Sequence, residues 1–407
     1  MSVSSPDFPK NIPDGEINKL LLSIRLPRAT KIVAPEVNAS FHDIYMITLP
    51  PGKKVTSRGI SCDDDELVLR VAANYWPRVK TLNEHGVMSY IAKHTNIPIP
   101  KLIAWDASVN NVLGYEWTLL SRVSGETLSD IWRDLDANQM GGILDQLADI
   151  LVELHSRKFN RIGGIPLHSD TDKDNDWVAG WVIDETFWAI HEFPLWPAGS
   201  SDEDLNIHGP FENYVDYIAS QIELYTRQIQ AHDKLKSYRH LVRPLQALLA
   251  ALKEHAEELN KTRLVLAHKD LHFGNIMYDR KSSKITGILD WEFSGVVPAP
   301  KWNPRKAFLW NCDNSDNNKA KKERLLGEFM RRCKDRGVKP LPDEVEYTSP
   351  RQKAMQEIAD HVRAIIEVEV KNQYLEDVKL RADLDERVRG WEETVIKALT
   401  TFGINVP

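Results

Sequence analysis

Cysteine is scarce in this sequence, and the three cysteines form no motif. Cys62, Cys312 and Cys333 lie far apart in a chain of 407 residues, and no CxxC pair occurs. Their number and spacing exclude a disulfide framework and a cysteine zinc site, and they are typical of a protein from a reducing compartment. We therefore expect a cytoplasmic protein.

Long apolar runs, a secretory signal and an excess of basic charge are also lacking. The longest uninterrupted apolar stretches are only a few residues long, too short to span a bilayer. The N-terminus has no basic segment followed by an apolar run, which a signal peptide requires. The formal net charge of −7 argues against a nucleic-acid partner, which would bind to a basic face. We expect neither a membrane nor a nucleic-acid partner, and no pattern predicts the oligomeric state.

The first part of the chain reads as strands with one helix. Strand patterns occupy residues 41–50, 67–73 and 115–123, with alternating or β-branched residues bounded by turn residues. Residues 81–94 carry apolar side chains at helical spacing, and the prolines of NIPIP end that helix. The pattern is typical of a small sheet that packs with a single helix.

The rest of the chain is mainly helical, apart from residues 264–297. The sequence therefore predicts an α+β protein with a strand-rich N-terminal lobe (residues 1–120), a large helical C-terminal lobe (residues 121–407) and a cleft between them. Residues 160–211 form an irregular insertion. Its tryptophans either pack in the core or line a pocket for an aromatic or cationic group: Trp177, Trp181, Trp188 and Trp196.

Three polar side chains are expected at one end of a hairpin. Residues 276–278 and 285–289 read as two strands joined by a polar turn. Such a hairpin sets Asp290 beside Asn275, with Asp270 on the loop that leads in. Oxygen ligands of this kind suit Mg²⁺, and a carboxylate five residues earlier can accept the proton of an attacking hydroxyl.

The motifs at this hairpin resemble those of a known family. HKDLHFGN (268–275) followed by ILDWE (288–292) resembles the HxDxxxxN and D-[FW]-x signatures of the aminoglycoside phosphotransferase / choline-kinase-like family, in the style of its fungal branch. The resemblance implies a bilobal protein-kinase-like fold. It implies that Asp270 is the catalytic base, that His268 braces the loop, and that Asn275 and Asp290 hold magnesium.

The resemblance also implies a nucleotide site upstream. Arg70 stands where the family has a strand cation that meets the nucleotide phosphates and pairs with a helix glutamate, here Glu84. Adenine would bond to the backbone near Ser121 and Val123. The loop VNASFHDIY (37–45) is not glycine-rich, so phosphate contacts there would come from Ser40 and nearby amides. Arg70 is a second departure from the family pattern, which has a lysine at this position. An arginine can bind phosphate through two hydrogen bonds, whereas a lysine acts as a point charge.

The implied activity is transfer of the γ-phosphoryl group of ATP or GTP to a hydroxyl of a small molecule, with Mg²⁺. Three alternatives remain open: a pseudokinase that binds nucleotide without turnover, another ATP-driven step on the same fold, or an iron-dependent oxygenase. The oxygenase would use His268, Asp270 and a further histidine, His272 or His361, as ligands.

Several residues have a second, local interpretation. Thr81-x-x-Glu84 is a capping box, Arg70 could instead pair with the acidic loop 63–66, and Glu292 is either a loop brace or a further metal ligand. Lys269 would touch phosphate or neutralise the surroundings of Asp270. Acidic residues of a predicted helix (351–376) either meet a cationic acceptor or form a solvated face: Glu357, Asp360, Glu367 and Glu369.

Overall fold

The structure is a computed structural model. It describes residues 11–35, 41–52, 55–57, 60–62, 65–165, 180–184, 186–299, 316–337, 347–371 and 378–406. Within these ranges, no helix has the length and apolar character that crossing a membrane requires.

A five-stranded antiparallel sheet forms the N-terminal lobe, in the order β1-β2-β5-β7-β6. A separate hairpin consists of β3 (Val55–Ser57) and β4 (Ile60–Cys62). The predicted strands are confirmed. The bounds of the five sheet strands are β1 Lys31–Val33, β2 His42–Thr48, β5 Glu66–Ala72, β6 Leu102–Asp106 and β7 Trp117–Ser121.

The two faces of this sheet serve different purposes. Leu67, Leu69 and Val71 of β5 are fully buried in an apolar cluster with helix α1 (Asp14–Ser23). Because successive strand residues point to opposite faces, Arg70 points to the other face. That face is covered by α2 (Val79–His94), which carries Glu84. The sheet therefore isolates a charged side chain between its second face and one helix.

The C-terminal lobe is helical, as predicted. In α4 (Ala137–His155), the six apolar residues predicted to share one face are all buried: Ile143, Leu144, Leu147, Ile150, Leu151 and Leu154. The other helices are α3 Leu128–Ile131, α5 Asp202–Leu205, α6 Tyr214–Ala231, α7 Val242–Glu254, α8 Ala256–Leu259, α9 Asp316–Asp335, α10 Pro350–Lys371 and α11 Val378–Thr400. Short 3₁₀ helices span Ile190–Leu195, Asp233–Leu241 and Phe273–Asn275.

Two small sheets hold the segment that was expected to carry the chemistry. Strands β10 (Ile276–Asp279) and β11 (Lys284–Ile288) form the predicted antiparallel hairpin, and β8 (Glu126–Thr127) pairs with β10. Strands β9 (Leu264–Ala267) and β12 (Gly295–Pro298) pair with each other. The loops that follow β9 and β11 therefore start from fixed strand ends. The α+β fold class is confirmed, and the lobe boundary at residues 120/121 stays a prediction.

The insertion at residues 160–211 is irregular, as expected, within its described part. Trp188 and Trp196 are buried with ring centroids 5.1 Å apart, so these two pack in the core. Trp181 is 43% exposed, with its ring 4.2 Å from that of His208. Trp177 lies outside the described residues.

Two of the acidic residues on the predicted helix 351–376 have partners within the chain. Ten of the 22 residues of helix α10 are buried, and the four acidic residues are partly exposed. Glu369 accepts a hydrogen bond from the hydroxyl of Tyr238, and Glu367 pairs with Lys371. The choice between a solvated face and a site for a cationic acceptor stays a prediction.

Candidate active site

His268 connects the two loops of the site. It is fully buried, and its Nε2 donates a hydrogen bond to the carbonyl oxygen of Leu289 at 2.7 Å. Its own carbonyl oxygen accepts a hydrogen bond from the Ser294 hydroxyl at 2.9 Å. Burial lowers the pKa of His268, so the ring is neutral near pH 7. This geometry suits the bracing role that the motif implied.

Asp270 and Asn275 lie in direct contact on the loop after β9. The Asn275 amide nitrogen donates to the carbonyl oxygen of Asp270 at 2.9 Å and to its carboxylate Oδ2 at 3.1 Å. The side chain of Asp270 is 28% exposed, so its free oxygen can reach a substrate. One amide thus fixes the orientation of the predicted base.

Asp290 is placed beside this pair by the hairpin. The backbone N–H of Leu289 donates to the carbonyl oxygen of Asn275 at 2.8 Å, which extends the β10–β11 pairing to the residue before Asp290. Asp290 itself has a φ of 66°, in the left-handed region, which turns the chain sharply after the strand. The structure therefore brings the three predicted groups to one end of the hairpin. Their catalytic and metal-binding roles stay predictions.

Arg70 connects the lobes across the cleft. Its Nη1 bonds to the carboxylate of Glu84, and its Nη2 lies 2.8 Å from Oδ1 of Asp290. Burial alone would lower the pKa of Arg70, but the charges of Glu84 and Asp290 raise it above its usual value. The guanidinium is therefore always charged and is shared between a helix carboxylate and a loop carboxylate.

Among the described residues, Arg70 and Glu84 contact each other rather than the partners of their local alternatives. The capping-box interpretation is wrong, because α2 begins at Val79 and Thr81 is already inside the helix. Glu66, at the end of the acidic loop, pairs with Arg122 at 2.7 Å. Residues 63 and 64 lie outside the described residues.

A second buried ion pair lies next to the first. Lys80 Nζ is 2.6 Å from Oε2 of Glu292, and both residues are 1% exposed. The ring of His42 separates the two cations, with Nδ1 3.1 Å from Arg70 Nη2 and Nε2 3.2 Å from Lys80 Nζ. Burial and both cations lower the pKa of His42, so His42 is neutral. The contact of Glu292 with Lys80 suits the loop-brace interpretation, which stays a prediction.

Sequence reasoning missed Lys80 and His42, although each had a signal. Lys80 lies four residues before Glu84, so both project from one face of α2. His42 lies two residues from Ile44, the cross-strand partner of Arg70, and is therefore its diagonal neighbour on the same face of the sheet.

The residues predicted to contact the nucleotide differ in whether the structure describes them and in what they contact. The N–H of Ser121 is already used, because it donates to the carbonyl oxygen of Lys101 at 2.9 Å within the sheet. Val123 lies beyond the end of β7, and its side chain borders Gly287 of β11. Ser40 lies outside the described residues. The adenine contacts at Ser121 and Val123 stay predictions.

Lys269 has a contact that neither of the two roles considered for it in the sequence anticipated, and both roles stay predictions. Its Nζ donates a hydrogen bond to the carbonyl oxygen of Ile183 at 2.7 Å. The residue directly before Asp270 thus connects the loop after β9 to the insertion.

The donor set at the hairpin fits magnesium better than iron. Asn275 and Asp290 offer amide and carboxylate oxygens, and Mg²⁺ needs only one or two such protein ligands because water and phosphate complete its shell. Across the part of the chain that is described, no group of three or more His, Cys, Asp or Glu side chains is arranged to hold a metal ion. The histidine–aspartate iron site considered from the sequence is therefore not formed by these residues.

Comparisons with known proteins agree with this geometry. The model of the phosphotransferase enzyme family matches residues 60–299, more than half of the chain. A subtelomeric hrmA-associated cluster protein of Aspergillus fumigatus is 23% identical over 305 residues, 65% of this chain and 58% of that protein. Altered inheritance of mitochondria protein 9 of Clavispora lusitaniae is 20% identical over 314 residues, 66% of this chain and 48% of that protein. The chain thus matches roughly half of the length of these curated relatives.

A solved structure supports the fold. The crystal structure of the ADP-bound aminoglycoside phosphotransferase APH(2'')-Ib aligns with a TM-score of 0.51 at 12% identity, over 94% of this chain and 99% of that one. The bilobal kinase-like fold and the family predicted from the HKDLHFGN and ILDWE motifs are confirmed. The chain belongs to the phosphotransferase enzyme family.

Proposed function

We propose that this protein transfers the γ-phosphoryl group of ATP to a hydroxyl group of a small molecule. One observation carries the proposal: Asp270, Asn275 and Asp290 converge on one end of the β10–β11 hairpin, next to a cation that spans both lobes. Family membership and the fold shared with an ADP-bound phosphotransferase support it.

The residues divide the work in a way that phosphoryl transfer requires. Asp270, held by Asn275 and partly exposed, would orient the acceptor hydroxyl and take its proton. Asn275 and Asp290 would hold Mg²⁺, which supplies neutralising charge for the phosphates when bound. Catalysis then depends on positioning and electrostatics, with little covalent chemistry for the protein to perform.

The nucleotide would lie in the cleft between the proposed lobes, residues 1–120 and 121–407. Arg70 would neutralise phosphate charge, with Glu84 fixing the guanidinium. The purine would bond to the backbone near Ser121 and Val123, with Val123 the better placed. Either ATP or GTP satisfies backbone contacts of this kind.

A pseudokinase is the second candidate function, and one contact favours it. Arg70 is paired directly with Asp290, so the predicted phosphate cation already neutralises the predicted metal ligand. A pseudokinase of this kind would bind nucleotide and release no ADP.

Calorimetric titration of ATP, with and without Mg²⁺, into the wild type and Asp290→Ala tests the proposal. We expect tighter binding with Mg²⁺ in the wild type and no such gain in the variant, together with ADP formation by the wild type when water or a panel of added hydroxyl compounds is the phosphoryl acceptor. Binding without ADP formation would favour the pseudokinase. Absence of binding to ATP and to GTP would refute both.

A further inference from the structure

Asn83 makes three buried hydrogen bonds at the junction of the lobes. It is 2% exposed and lies on α2, one residue before Glu84. Its amide nitrogen donates to the carbonyl oxygens of Glu292 and Ser294, each at 2.9 Å. Its amide oxygen accepts a hydrogen bond from the backbone N–H of Ile165, also at 2.9 Å.

These bonds join α2 to the segment 290–294, here called the Asp290 loop. The loop begins with Asp290 in a left-handed conformation and ends where β12 starts. Its carbonyl groups at 292 and 294 each accept a hydrogen bond from Asn83 on α2. The side chain of Glu292 is held from the same helix, by Lys80.

The third bond extends the connection to the start of the insertion. Gly164 packs so closely against Asn83 that an added Cβ would lie 2.3 Å from the amide oxygen, so glycine is required for this approach. Gly163 exchanges backbone hydrogen bonds with Val296 of β12. The Asn83 amide therefore meets the Asp290 loop and the segment beside it at the same point.

No other side chain can make all three of the hydrogen bonds that the buried amide of Asn83 makes. Loss of the side chain leaves two carbonyl oxygens and one N–H without their partner, and each unpaired buried group is costly. The loop can then relieve the cost by moving, which would displace Asp290 relative to Asn275 and to Arg70.

We propose that Asn83 is a positioning residue that holds the Asp290 loop in the geometry that binds Mg²⁺ with the nucleotide. It touches neither the metal nor the phosphates, and it acts through the backbone of the loop. The inference rests on the proposed function, because it assigns a support to the metal site of that function.

Calorimetric titration of ATP with and without Mg²⁺ tests this role in Asn83→Ala, Asn83→Ser and Asn83→Asp. The readout is the Mg²⁺-dependent gain in ATP affinity. Removing an outer hydrogen-bond partner of a metal site typically costs about 10–100-fold in affinity, so we expect a loss of that size in Asn83→Ala and a smaller loss in Asn83→Ser, which keeps one donor. Binding of ATP without Mg²⁺ should change little.

Asn83→Asp distinguishes the hydrogen bond that Asn83 accepts from the two that it donates. An aspartate keeps the acceptor for Ile165 and replaces the donors with a carboxylate that faces two carbonyl oxygens. We expect it to lose the gain at least as completely as Asn83→Ala. If Asn83→Asp retains the Mg²⁺-dependent gain in ATP affinity, the hydrogen bonds that Asn83 donates to the Asp290 loop are not what maintains that gain, and the proposal is wrong.

Asn206→Ala is the matched control. Asn206 is equally buried at 3% exposure, and its amide makes three hydrogen bonds, to the backbone of Trp188 and to Asp202, within the insertion. Its loss should lower the thermal midpoint and leave the Mg²⁺-dependent gain intact. If Asn83→Ala and Asn206→Ala lose the Mg²⁺-dependent gain equally, the proposed role of Asn83 is wrong. It is also wrong if neither Asn83→Ala nor Asn83→Ser loses any of the gain. Neither result would bear on the proposed function. A wild type without any gain would overturn the proposed function as well. If Asn83→Ala does not fold, Asn83→Ser carries the comparison.

Discussion

Arg70 and Asp290 come from different lobes, and Nη2 of Arg70 lies 2.8 Å from Oδ1 of Asp290. The same guanidinium bonds to Glu84 through Nη1. One cation therefore holds both the helix carboxylate and the carboxylate predicted to bind magnesium. If Asp290 binds Mg²⁺ as proposed, we expect the metal to compete with Arg70 for Oδ1, because a ligand shifts a conformational equilibrium only through its different affinity for the two states.

Arg70→Lys should lower the Mg²⁺ concentration needed for half-maximal ATP binding. A lysine ammonium is a point charge and lacks the fork that lets arginine bond two carboxylates at once. It would stay with the buried Glu84 and leave Asp290 free for the metal. Calorimetry at a series of Mg²⁺ concentrations measures the effect.

Arg122→Lys is the control for this substitution. Arg122 pairs with Glu66 at 2.7 Å on the surface, with side chains 47% and 53% exposed. Its replacement should leave the Mg²⁺ requirement unchanged. An unchanged or higher Mg²⁺ requirement in Arg70→Lys would show that Arg70 does not compete for Asp290.

Asp270→Asn should abolish turnover and keep nucleotide binding. The amide can still accept the hydrogen bond from Asn275, so the loop is retained, but it cannot take a proton. Loss of a general base typically costs about 10²–10⁴-fold in rate. The measurement is ADP formed from ATP with water as the acceptor, beside calorimetric ATP binding.

Asp279→Asn supplies the comparison for Asp270→Asn. Asp279 ends β10, and its carboxylate accepts hydrogen bonds from Ser282 in the exposed turn. We expect full ADP formation from this variant. Equal rates in Asp270→Asn and the wild type would remove Asp270 from the role of base.

Local patterns predicted those parts of the site that a short chain segment determines. The hairpin at 276–288 followed from two strand patterns around a polar turn, and it alone sets Asn275 beside Asp290. The pairing of Arg70 with Glu84 followed from the family resemblance. The competing capping box was wrong because α2 begins at Val79, and helix starts are poorly determined by sequence.

Contacts between distant segments were not predictable in this way. Asp290 reaches Arg70 across 220 positions, and Glu292 reaches Lys80 across 212. Each carboxylate had a sufficient local interpretation, as a metal ligand or a loop brace. Only the packing of α2 against the Asp290 loop shows which cation each one meets.

The Lys80–Glu292 pair should contribute to stability chiefly by leaving no buried charge unpaired. Lys80→Met leaves the Glu292 carboxyl group without its cation in a site where its side chain is 1% exposed and where burial already raises its pKa to about 8. Breaking a buried pair from one side costs about 3–5 kcal/mol in free energy of unfolding. The double variant Lys80→Met/Glu292→Gln should recover part of that loss, measured by urea unfolding.

The surface pair Arg122–Glu66 again provides the reference. Exposed ion pairs contribute about 0–1 kcal/mol, so Arg122→Met should change the free energy of unfolding only slightly. If Lys80→Met costs no more than Arg122→Met, the buried pair is not the constraint on the Asp290 loop that its geometry indicates.

Stability should rise with pH between about 3 and 6.5 because of His155, the last residue of α4. Burial, with the charge of Arg263 nearby, lowers the pKa of His155 from its usual 6.5 to about 3. Between these values the unfolded chain binds a proton that the folded protein does not, so the free energy of unfolding increases as pH rises and becomes level above 6.5 with respect to this group. His155→Gln cannot take up the proton, and its unfolding free energy should therefore vary less with pH over this range. Urea unfolding at pH 4.5 and pH 7.5 compares the two proteins, and the same pH dependence in both would show that His155 is not responsible for it.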